Sequence, residues 1–191
     1  MAKKRPNLAL MIVVVVAIIG IGHFVMSMGE GPLAESGPLP EPKWSRPPAG
    51  LPELQVALDS ISYVINQSMQ PIEPILERSC FDCHTNRPKE PWYYGLPGIR
   101  QMIADHVEEG REHLDMSNGF PFSGRGTQLD LLHEIYEEVD EGKMPLSSYL
   151  WLHSDARIEG ATADSLFDWV QESERLIKAA YEQVGLPVEE E

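Results

Sequence analysis

Residues 80–84 read CFDCH, and they hold both cysteines of the 191-residue chain. Two thiols separated by two residues sit one helical turn apart, a spacing that serves a disulfide, a pair of metal ligands, or two thioether bonds to one porphyrin. His84, directly after the second cysteine, is needed for the third use alone. A redox dithiol of thioredoxin type should follow a strand in an α/β pattern, and a structural zinc site needs four ligands, usually two such pairs. Neither context is present. C-x-x-C-H is instead the attachment signal for c-type haem, where both thiols add to vinyl groups and the next histidine binds the iron. The expectation is one covalent haem c, with Cys80 and Cys83 as attachment points and His84 as proximal ligand. A plain disulfide is the remaining alternative.

Outward from this cluster, apolar residues recur at helical spacing. Leu54, Leu58, Ile61 and Ile65 share one face of a segment ending near Met69, and PIEPILERSCFDCH (71–84) reads as a short second helix carrying the cysteines. Ile99, Met102, Ile103, Val107 and Leu114 mark a third helix with His106 on the same stripe. Leu129, Leu132, Ile135, Tyr136 and Val139 mark a fourth, which Gly142 can close from the C′ position. Leu166, Trp169, Val170, Ile177 and Ala180 mark a long last helix with Thr162 as its N-cap. No strand and no internal repeat is expected.

The amino-terminal end is different in kind. After Lys3, Lys4 and Arg5, the run Leu8 to Met28 has no acid or permanent base, and as a helix it would span roughly 31 Å, one membrane crossing. A cleaved signal peptide has a shorter apolar region and a small-x-small site, which does not follow closely here. Residues 1–28 are therefore read as a cytoplasmic basic end plus a single-pass anchor in the cytoplasmic (inner) membrane. The positive-inside rule places the rest on the periplasmic, extracytoplasmic side, the side on which haem c is attached. Residues 29–52 contain seven prolines and no apolar periodicity, so they are expected to form an extended tether. The folded domain is expected over 53–185, with an acidic tail at 186–191.

Beyond the anchor, 12 Lys and Arg stand against 30 Asp and Glu, a balance of −18. Such a surface argues against nucleic acid or anionic lipid as partner, and for solubility or steered encounter with a basic redox protein.

Iron in a closed site needs a sixth ligand. EGKMPLSSY (141–149) puts Met144 in a turn just past a helix end, with Pro145 preventing continuation of a helix. Met144 is preferred over four histidines. His106 and His133, on or beside the apolar stripes, read as satisfied core residues, His113 as a surface residue, and His153 as a loop residue that would bond the haem edge or cap local backbone.

The ordered motifs CFDCHTN (80–86), PWYYGLPG (91–98), EEGREHL (108–114), EGKMPLSSYLWLH (141–153) and LFDW (166–169) resemble the bacterial haem-binding domain family of single-haem c-type cytochromes. The resemblance runs from about Pro71 to about Val170. It implies an all-α, cytochrome c-like domain around one haem, with Cys80 and Cys83 attached, His84 proximal and Met144 distal. It also implies that Trp92 and Tyr93 wall the ring or bond a propionate, and that Arg111 pairs with a propionate. Where the family commonly has Leu-Asn-Phe-Ser, this chain reads Leu114, Asp115, Met116, Ser117, which makes Met116 a second candidate sulfur.

With histidine and thioether both bound, iron has no open position for oxygen or peroxide, and the couple suits single-electron transfer rather than catalysis. The expectation is a membrane-anchored electron carrier, free or as a subunit of a respiratory or photosynthetic assembly. The alternative is a haem peroxidase or gas sensor with a labile sixth ligand.

Overall fold

The computed structural model describes residues 52–185. The expected anchor, the tether up to Leu51 and the acidic tail lie outside the described residues, and no helix among the described residues is long and apolar enough to cross a membrane. The described residues fall into two units, one formed by 90–106 and the other by 52–89 with 107–185.

The larger unit is built mostly of helices. Helix α1, Pro52–Met69, puts Leu54, Leu58 and Ile65 wholly out of water, with Ile61 partly buried beside them. Each such burial contributes about 1.5–3 kcal/mol. The expected second helix is not continuous. A 3₁₀ turn, Gln70–Ile72, leads into α2, Glu73–Ser79, and a separate single turn, α3, Phe81–His84, follows. Pro71 and Pro74 each sit in the first turn of a new element, where the missing N–H is tolerated. Cys80 ends α2 and starts α3 with φ −126° and ψ −44°, so the chain bends at the first thiol.

Helix α4 runs Ile99–His113, close to the expected third helix. Met102 does not join a core stripe; it is 45% exposed. Two residues then pair as a strand, an element not expected from the sequence: β1, Leu114–Asp115, lies antiparallel to β2, Ser123–Gly124. Long-range bonds hold the intervening loop. Asn66 donates to the Phe120 carbonyl at 2.6 Å and accepts from its N–H at 2.9 Å, and Gln128 does the same with Phe122 at 2.7 and 2.8 Å.

Helix α5, Gln128–Asp140, begins with a capping box between Thr127 and Asp130. It ends as expected at Gly142, whose φ of +68° supplies the left-handed residue of a Schellman motif. Gly142 N–H donates to Val139, and Lys143 N–H to Glu138. Helix α6, Ser147–Leu150, and a 3₁₀ turn, Ser154–Ala156, lead to α7, Ala161–Gln183. Thr162 is not its N-cap. Gly160 holds that position, with φ +55°, and its carbonyl accepts from Asp164 N–H at 2.9 Å. Helix α7 packs on both α1 and α5, burying Leu166, Trp169, Val170, Ile177 and Ala180 as the pattern predicts.

Candidate functional site

The motif is held by its own short helix and by bonds from other segments of the chain. Cys83 and His84 N–H both donate to the Cys80 carbonyl, at 3.1 and 2.9 Å, which closes the turn that begins at the bend and carries the second thiol. Ser79 Oγ donates to the Ala156 carbonyl at 2.8 Å. Asp82, between the cysteines, accepts from Tyr149 Oη at 2.8 Å and from Lys89 N–H at 3.2 Å. A four-residue helix cannot nucleate by itself, so these tertiary bonds hold it.

Both cysteines are free, half-buried thiols. Burial, with Cys83 nearby, pushes the Cys80 thiol up to about 12, and burial, with the Asp82 carboxylate, pushes Cys83 up to about 11. A redox dithiol needs a lowered thiol pKa to supply thiolate. This pair has the opposite bias.

The imidazole of His84 is the best-defined group. Nδ1 lies 2.8 Å from the Leu114 carbonyl, an acceptor alone, so this nitrogen carries the proton and Nε2 keeps its lone pair. Burial lowers the pKa of the ring against the opposing pull of the Leu114 and Gly110 carbonyls and the Glu134 and Asp115 carboxylates. The neutral ring is the form that binds metal. The backbone is clamped as well: Met116 N–H donates to the His84 carbonyl at 2.8 Å, and Asn86 N–H donates to Ser117 Oγ at 2.8 Å.

Gly110, on α4, packs against the motif. A Cβ there would stand 3.2 Å from the Cys83 carbonyl oxygen and 3.5 Å from its Cβ. Gly110→Val should therefore force α4 and the motif apart and cost about 1–3 kcal/mol by overpacking. Gly110→Ala should change stability by less, because a gain of about 1 kcal/mol in helix propensity offsets the crowding. Denaturant unfolding of both variants measures this, and equal stabilities for valine and glycine would contradict the contact.

The family's sequence pattern, a haem-binding domain, matches residues 54–172 of this chain. The chain belongs to the haem-binding domain family. The match extends the expected resemblance back over α1 and takes in Cys80, Cys83, His84, Arg111 and Met144 together. No curated protein and no solved structure matches the chain.

The donors of this haem-binding domain fit its cofactor. Two thiols one turn apart and a neutral imidazole with Nε2 available form the donor set of an attached, His-ligated haem. A second feature went unseen in the sequence: Nε of Arg78, two residues before Cys80, is buried without a hydrogen-bond partner among the described residues. An unpaired cationic N–H beside the motif suits a group that carries carboxylates.

The other candidates are distributed unevenly. Met144 is half-buried, its N–H bonded to the Glu138 carbonyl at 2.8 Å as an extension of the Schellman motif. Its loop leads in five residues to Tyr149, which bonds Asp82. Met116 is instead buried in the hydrophobic core, 5% exposed. Arg111 is buried, with Nε 2.7 Å from Asp115 Oδ2. Trp92 and Tyr93 belong to the smaller unit, on a 3₁₀ turn, Trp92–Gly95. Their rings meet edge-on at 5.6 Å, and Trp92 is 82% exposed. Among the histidines, His133 is exposed and faces Glu137 at 3.2 Å, and His113 meets Arg125 at 2.9 Å. His153 stacks on Tyr149 at 4.1 Å, while His106 is half-buried in the smaller unit.

Proposed function

We propose that this haem-binding domain is the extracytoplasmic part of a membrane-anchored monohaem cytochrome c. It passes single electrons between a membrane redox complex and another redox protein, as a tethered shuttle or as a subunit of a respiratory or photosynthetic assembly. The observation that carries this reading is the His84 ring, fixed by Leu114 in the iron-binding tautomer directly after the paired thiols.

When bound, the haem supplies a one-electron iron couple. The residues then divide the work. Cys80 and Cys83 would hold the ring covalently through thioethers, and His84 Nε2 would bind its iron. Met144 would offer a thioether as the other protein ligand, a donor that favours the reduced state and suits electron transfer over catalysis. The role of the apolar segment at 8–28 is to keep the domain at the membrane.

The surface beyond the anchor, with a balance of −18, suits a basic docking partner, since electron-transfer encounters bury little area and charge governs their rate. Electron exchange with a basic redox protein should slow tenfold or more as the Debye length shrinks from about 30 Å at 0.01 M salt to about 3 Å at 1 M. Stopped-flow measurement on the full-length protein in mild detergent gives this profile. Rapid carbon monoxide binding with peroxide turnover in the natural protein would replace the electron-carrier reading by a catalytic or sensory one.

A further inference from the structure

The segment from Arg111 to Ser117 forms a bracket around His84. Three of its groups hold the motif: the Leu114 carbonyl at the ring, the Met116 N–H at the His84 carbonyl, and Ser117 Oγ at Asn86 N–H, each at 2.8 Å. The bracket owes its own shape to one carboxylate. Asp115 Oδ2 accepts from Arg111 Nε at 2.7 Å while Oδ1 accepts from Ser117 N–H at 2.8 Å, which ties the end of α4 to the turn beyond β1. Both charged side chains are buried, 7% and 1% exposed. Arg111 therefore has a partner within the chain, one residue away from the carbonyl that His84 uses.

We propose that the buried Arg111–Asp115 pair is the positioning element for His84, and that its charge balance sets the reduction potential of the iron this histidine binds. The inference rests on the haem c reading above. In a poorly screened interior, removing one partner leaves a full charge beside the Leu114 carbonyl. Ferric iron carries one positive charge more than ferrous iron. A cation left at Arg111 disfavours the oxidised state, and an anion left at Asp115 favours it.

Two near-isosteric variants separate this from a scaffold role. Asp115→Asn keeps an acceptor for Ser117 N–H and should shift the potential upward. Arg111→Gln leaves the Asp115 carboxylate without its partner and should shift it downward. Arg111→Gln with Asp115→Asn restores neutrality and should return close to the natural value. A pair that merely braces the loop would loosen it in both single variants, weaken the Nδ1–H bond to Leu114 and move both potentials the same way. Redox titration of the haem-loaded, full-length proteins gives the shifts, and slow exchange of the His84 Nδ1–H proton reports the bracket directly.

Shifts of equal sign, or no shifts, with haem still covalently bound would overturn the proposal while leaving the cytochrome reading intact. Haem that extracts intact from the natural protein would instead overturn the cytochrome reading. If neither single variant accumulates with haem but the double variant does, the need for charge balance is supported. Failure of the double variant as well, with helical circular dichroism retained, would make the pair a folding requirement and end the proposal.

Discussion

Alanine at both Cys80 and Cys83 is expected to abolish haem retention, with essentially all of the cofactor lost through acid-acetone extraction and little protein accumulating. Two features of the natural chain set the size of this effect. The proposed covalent thioethers would remove dissociation as an option, whereas a ring held by His84 and packing alone would be in equilibrium with solvent and would stabilise the fold only while bound. The single-turn helix α3, Phe81–His84, moreover has no stability of its own. Losing the ring would leave this turn dependent on the bonds from Tyr149, Lys89, Met116 and Ser117. Haemochrome spectra of the denatured natural protein should show saturated side chains at both former vinyl positions, and each single alanine variant should retain one thioether. Intact haem extracted from the natural protein would refute covalent attachment.

Met144→Ala is expected to convert a closed, high-potential iron into an open one. The far-red charge-transfer band of Met-ligated ferric haem should vanish, and carbon monoxide should bind the reduced protein readily. The potential should fall by on the order of 0.1–0.2 V, within the roughly 0.8 V range over which axial ligands tune haem. The haem should remain attached, because Cys80 and Cys83 are untouched. The substitution is mild for the fold: Met144 is half-buried, and its backbone bond to Glu138 does not depend on the side chain. Met144→His should restore six-coordination at a potential below that of the natural protein, since imidazole stabilises ferric iron better than a thioether does. An unchanged spectrum and potential in Met144→Ala would move the search to His106, His133, His153 and Met116.

Much of this was legible because the relevant signals are local. Leu54, Leu58 and Ile65 repeat at helical spacing and are buried, and Gly142 stands where a helix must end and takes the left-handed conformation that ends it. The candidate motif was legible for a similar reason, since five consecutive residues carry both the thiols and the imidazole. Non-local geometry was hidden. The expected second helix is broken by new elements starting at Gln70 and Glu73 and by the bend at Cys80, beside which Ser79 bonds Ala156 far along the chain, and periodicity records none of these. Gly160 rather than Thr162 caps the last helix because its left-handed φ turns the chain before the first apolar residue of the stripe. The resemblance offered a propionate as the partner of Arg111, and nothing in the sequence says that a carboxylate four residues later folds back onto it inside the protein. Arg78 could have been noticed from its place two residues before Cys80, but its unpaired Nε is visible in three dimensions alone.

The bond from Tyr149 to Asp82 spans 67 residues and joins the segment that carries Met144 to the segment that carries His84. Closing a flexible loop of that length would cost about 3.7 kcal/mol of chain entropy before any constant term. Here the closure is already made by the fold, so if Met144 binds iron as proposed, its thioether searches from a tether of five residues and its effective concentration is high. A transient break of the iron–sulfur bond would then be a local swing of one side chain, re-formed faster than a small molecule in solution could arrive. Weakening that one phenol–carboxylate contact, with His84 and Met144 intact, would on the proposed ligation lengthen the time for which the metal stands open.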